Sequence, residues 1–153
     1  MYGLGALSLD MRDAGATPTF KIAKLEEQYA NSDLIIGLYD VGLCKADISF
    51  TDPFPAPGDP ITINAVIHCH DSSDQVNDSV MVRFYDGDPS VSVNQIGDNL
   101  YIPGMMPGEA VPLSMPYTVG DTLPRHIYVG VDPKNTIHEF DEDNNVAFKI
   151  LPL

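Results

Sequence analysis

The chain has 153 residues, 44% of them hydrophobic, with thirteen Pro, twelve Gly and no Trp. That length and apolar content suit one well-buried domain, or one domain with an appendage, and exclude general disorder. The net charge of −14 excludes nonspecific binding to nucleic acid or to an anionic bilayer, because both require a basic surface.

Residues 1–39 open the chain. The run from Tyr2 to Leu9 is apolar but only eight residues long, no basic region precedes it, and Asp10 follows. It does not read as a signal peptide, and no stretch is long enough to span a membrane. Phe20 to Asn31 either starts a helix after Pro18 or pairs with Leu34 to Asp40 as a hairpin. The hairpin reading resembles a degraded FG-GAP propeller blade without its Asp-rich calcium loop. Residues 1–39 are thus expected to be an N-terminal arm or the remnant of a preceding β domain. Residues 40–153 are expected to form a separate domain.

From Asp40 onward the pattern is that of short strands. Asp40 to Phe50 reads as a first strand with Cys44, Ala46, Ile48 and Phe50 on one face. Four Pro and one Gly between Thr51 and Pro60 force a turn. Ile61, Ile63, Ala65, Ile67 and Cys69 then alternate with polar or exposed positions to His70, the period of a half-buried strand. Ser79 to Tyr85 buries Val80, Val82 and Phe84. Asp86 and Gly87 begin a turn, and Ile96 to Ile102 is a further strand. Val111 to Tyr117 follows, with Pro112 and Pro116 assigning it to a sheet edge. Arg125 to Asp132 and Asn145 to Leu151 complete the set, the last with Val146, Phe148 and Ile150 expected on the buried face. About seven alternating strands punctuated by turns predict an all-β, immunoglobulin-like antiparallel β-sandwich carrying an N-terminal appendage. With the first turn centred near residue 56, Cys44 falls opposite Cys69, both inward, and either a disulfide or two buried thiols would fit there.

The end of the chain carries a recognisable signature. Asp132 and Pro133 close one strand, an acidic loop follows, and Glu139, Glu142, Asn144 and Asn145 lead into the last strand. Upstream, Pro57 to His68 form an early hairpin, and Val82 to Pro89 with Ile96 and Gly97 form the middle. Together these resemble the bacterial cell-adhesion-related domain, CARDB, over residues 40–153. One departure is Cys69, where the family commonly has Asn. The resemblance implies an extracellular or cell-surface module working in adhesion, spacing or display of neighbouring domains. Its partners would be other domains of the parent protein, surface proteins or glycans, with no nucleic acid and no direct membrane insertion. Self-association through residues 1–39 is a further expectation.

Charge gathers in two loops that a sandwich of this type places at one end. Asp71, Asp74 and Asp78 would lie beside Asp132, Glu139, Asp141, Glu142 and Asp143. Calcium is the cofactor such oxygen ligands would take; the alternative is that they cap turns and keep the tip soluble. Asn144 and Asn145 read as turn residues bonded to the backbone. His68 and His70 share an outward face and could grip zinc or copper only with a third ligand, such as His138. No nucleophile elbow, His-Glu-x-x-His or phosphate-binding loop occurs in the sequence, so no catalytic residue is assigned. The expected function is a non-catalytic adhesion or spacer module. The alternatives are a calcium- or glycan-binding accessory module of a secreted hydrolase, and a fibre subunit that uses its N-terminal arm for strand addition.

Overall fold

Among the described residues eight strands form: β1 (Val41–Gly42), β2 (Ile48–Phe50), β3 (Pro60–Cys69), β4 (Val80–Asp86), β5 (Gln95–Ile102), β6 (Ala110–Thr118), β7 (Arg125–Val131) and β8 (Val146–Leu151). The computed structural model describes residues 39–70, 75–122 and 124–152. The readings made for residues 1–38 lie outside the described residues. The described strands fall in one unit, Gly37–Leu153, and form two antiparallel four-stranded sheets, as an immunoglobulin-like sandwich requires. In the first sheet β3 is central, with β6 along one side and β1 and β2 sharing the other. The second runs β5-β4-β7-β8.

Alternation decides what is buried. Ile61, Ile63, Ala65, Ile67 and Cys69 of β3 point inward, while the residues between them stay partly open. They meet Val80, Val82 and Phe84 of β4 and Ile127, Val129 and Val131 of β7 in one apolar core. Each large side chain withdrawn from water contributes roughly 1.5–3 kcal/mol, so this layer supplies most of the driving force. On β6, Pro112 and Pro116 sit opposite Val66 and Thr62 of β3; among the described residues β6 pairs with β3 alone, so a missing N–H on its other side breaks no ladder bond there.

Two strand readings are corrected. The expected first strand is broken by a 3-10 turn at Lys45–Asp47, whose Asp47 carboxylate caps the Cys44 N–H at 2.7 Å. Beyond that turn Ile48 pairs with Ala65, a register that would carry Cys44 to Cys69 if it continued. The turn takes up three residues, so Val41 arrives opposite Cys69 instead. Cys44 is left exposed, and no disulfide joins it to Cys69.

The second correction concerns β8. Val146, Phe148 and Ile150 face outward and are 50%, 39% and 41% exposed, while Leu151 is fully buried. Register explains it. Gly130 pairs with Val146 and Tyr128 with Phe148, so the outward residues of β7 set the same side for β8. The inward set is Ala147, Lys149 and Leu151; Lys149 reaches across the sandwich, and its Nζ donates to the Ile48 carbonyl at 2.6 Å.

The last turns of β3 and β7 and the start of β1 lie together at one end of the sandwich. Arg125, Asp86 and Leu151 lie at the other.

Candidate functional site

The β7–β8 loop begins with Asp132, whose backbone adopts a left-handed φ of 38°. Its carboxylate accepts from the Thr136 hydroxyl at 2.8 Å and from the Ile137 N–H at 2.6 Å. Those bonds fold the loop back so that Ile137 enters the core. The chain then pairs Glu139 with Tyr39, and the Phe140 N–H donates to the Tyr39 carbonyl at 2.7 Å. This fastens the entry of the sandwich to the loop.

Glu142 organises the second half. Its carboxylate accepts from the Glu139 N–H at 3.1 Å and from the Asn145 side-chain amide at 3.0 Å. The Asn144 amide donates to Asp40 at 2.6 Å, and its side chain occupies the space a Cβ on Gly42 would need. The two Asn were expected to bond the backbone through their side chains; they bond carboxylates instead. Their main-chain carbonyls do the backbone work, accepting from Leu43 and Val131.

At the centre sits Glu139, only 8% exposed, whose carboxylate oxygens form no close, well-aligned hydrogen bond among the described residues. Burial above all, and then the nearby charges of Glu142 and Asp132, push its carboxyl up to about 8, although the Asn145 amide and the Val41 N–H pull the other way. Asn145 is 7% exposed, and its Oδ1 likewise lacks a donor. Among the described residues, no Lys, Arg or His forms an ion pair with this group; the ion pairs there are His68–Asp47 and Arg125–Asp86.

The expected eight-carboxylate site therefore divides. Asp132, Glu139 and Glu142 come together. Asp141 and Asp143 are exposed, and Asp141 caps the Asp143 N–H at 2.9 Å, as a turn residue does. Asp78 is exposed, and Asp71 and Asp74 lie outside the described residues. Among the described residues, no three His, Cys, Asp or Glu side chains are grouped so as to hold a metal by themselves. His68 and His70 stack their rings 5.9 Å apart, but Nε2 of His68 is engaged by Asp47 at 2.9 Å, and His138 is exposed.

A feature that strand periodicity hid lies on the outer face of the second sheet. Phe148 stacks on Tyr128 at 4.9 Å and on His126 at 5.5 Å between ring centres. With Val146 and Ile150 beside it and Tyr101 55% exposed on β5, this face presents apolar surface to solvent. Pairing β8 to the outward residues of β7 would have revealed it.

Comparison with known proteins is consistent with this geometry. The CARDB family matches over residues 31–149. Among solved structures, the chain is similar to the CARDB domain of PF1109 from Pyrococcus furiosus, solved in complex with di-metal ions. Identity is 19% and the TM-score 0.62, covering 78% of this chain and 96% of that one. A domain assigned to a cell surface protein of Methanosarcina acetivorans matches at 18% identity and TM-score 0.55, covering 77% and 92%. A Geobacter metallireducens protein matches at 24% and 0.56, covering 70% and 91%. At such identities the likeness establishes the fold alone. A search of curated protein sequences finds no match.

Proposed function

The chain belongs to the CARDB family, and from that premise we propose that it is a non-catalytic module of a surface or secreted protein, serving as a spacer that also adheres. The observation that carries the spacer part is the placement of entry and exit. The chain enters the sandwich at Tyr39, bridged to Glu139 in the β7–β8 loop, and leaves it at Leu151, paired with Arg125 at the far end of β7. Modules so connected string end to end, each adding its long dimension to the array. Family membership and the cell-surface assignment of one solved relative support the same reading.

Adhesion is favoured by the outer face of β7 and β8. Val146, Phe148 and Ile150 sit on a flat sheet face where a soluble monomer ordinarily carries polar residues. A glycan platform needs open ring faces, whereas Phe148 covers its own by stacking on His126 and Tyr128. A protein surface of apolar character is the better partner.

Small-angle scattering of tandem copies tests the spacer. The maximum dimension should grow by a constant increment with each added copy. Arrays that collapse to a globule would contradict it. Retention on surface-coated beads, lost on replacing Phe148 with Ser, tests the adhesive face.

A further inference from the structure

We propose that the hollow between the end of β3 and the β7–β8 loop binds a neutral saccharide, at a site separate from the outer face of β7 and β8. The hollow measures about 580 Å³ and is open to solvent, within the roughly 300–1,000 Å³ of small-molecule sites. Three pieces of chain build it. His68 and His70 come from the end of β3, Asp40 from the segment leading into β1, and Phe140 and Asn144 from the β7–β8 loop. Two glycines shape it. Gly42, opposite His68, leaves room for the Asn144 side chain. Gly108, with a left-handed φ of 77°, has no atom within 4 Å of where a Cβ would stand. Its N–H donates to the Cys69 carbonyl at 2.9 Å, so the β5–β6 connection borders the hollow without filling it.

The lining matches the surface of a sugar. A pyranose presents an apolar face of C–H groups and a rim of hydroxyls that both donate and accept. Phe140 is 67% exposed and, unlike Phe148, stacks on no other ring among the described residues. Its N–H is tied to the Tyr39 carbonyl at 2.7 Å, so an open ring stands on a fixed backbone, ready for the C–H face. The polar rim is mixed. The Asp40 carboxylate accepts from the Asn144 amide at 2.6 Å and retains further acceptor capacity. The His68 and His70 rings, stacked 5.9 Å apart, supply both donor and acceptor nitrogens, and Asp47 holds Nε2 of His68 at 2.9 Å. Hydroxyls serve donors and acceptors alike.

Charge and size select the class. Among the described residues no Lys or Arg lines the hollow, Asp40 does, and the chain carries a net charge of −14. Uronic, sialic and sulfated sugars are therefore repelled. A lone guanidinium or ammonium would suit Asp40 and Phe140, but such a head fills a small part of this volume and leaves the His70 ring unused.

The full chain, isotopically labelled, is titrated with the methyl glycosides of glucose, galactose and mannose, with glucuronic acid, and with methylguanidinium. At least one neutral glycoside should shift the amide signals of His70, Gly108 and Phe140 at millimolar concentration and receive saturation transfer at its ring protons. Glucuronic acid should give neither response. Phe140→Ala removes the exposed ring and should weaken binding about tenfold; His70→Ala should weaken it several-fold. Phe148→Ser, at the stacked aromatic of the other sheet, should leave it unchanged. No response to any of the three glycosides would overturn the proposal. So would undiminished binding by Phe140→Ala, or methylguanidinium binding more tightly than every glycoside. None of these results bears on spacing or on adhesion through Phe148, which do not use this hollow.

Discussion

The Tyr117 hydroxyl on β6 donates to the Asp86 carboxylate on β4 at 2.8 Å, tying one sheet to the other. Arg125 donates to the same oxygen at 2.9 Å, and its guanidinium fills the space beside Gly120. Burial first, and then Asp86, push the Tyr117 phenol above its ordinary range. Replacing Asp86 with Ala strands both donors and should cost about 2–3 kcal/mol, while Tyr117→Phe should cost about 1 kcal/mol. Urea unfolding measures both; an Asp86→Ala variant as stable as the parent would contradict the tie.

Glu139 gives the fold a pH dependence. Its carboxyl is raised from 4.5 to about 8, by burial and then by Glu142 and Asp132. Between those values the folded chain holds a proton that the unfolded chain has released. This contribution is therefore complete below pH 4.5 and is lost as pH rises toward 8. The loss should be on the order of a few kcal/mol. Urea midpoints measured across that window should fall with pH, and Glu139→Gln should flatten the trend. A midpoint that rises with pH in the parent and is unchanged in the variant would contradict it.

The two faces of β8 should respond in opposite ways. Leu151→Ala opens a cavity beneath a fully buried side chain and should cost about 2–5 kcal/mol. Phe148→Ser acts on an outward residue and should change stability by no more than about 1 kcal/mol, while reducing adhesion several-fold. Denaturant titration alongside bead retention separates the two effects. Equal destabilisation by both would show that Phe148 is core.

Much of this was legible from spacing, and the misses have local causes. Strands β3, β4 and β7 carry inward residues on both sides of the core, so their alternation reads directly as burial. In β8 the larger apolar residues face out and a Lys faces in, so periodicity gave the strand and hid its orientation. The 3-10 turn at Lys45–Asp47 is made by one Asp cap, too short a signal to separate from strand, and it moved Cys44 off its partner. In the acidic loop, residue type could not tell Asp141, an exposed turn cap, from Glu139, a buried carboxylate. Only the fold-back at Asp132 makes that distinction.

The cysteines should differ sharply in reactivity. Cys44 is exposed and Cys69 is 1% exposed. A thiol reagent should modify one site per native chain at once and the second only after denaturation. Mass spectrometry locates each label, and a chain with no reactive thiol before reduction would mean a disulfide had formed.

The most direct test of a self-standing sandwich is whether residues 37–153 fold alone. That segment should show a β-type circular dichroism spectrum and a single cooperative melt close to that of the full chain. Failure to fold while the full chain melts cooperatively would contradict the account and place residues 1–36 within its core.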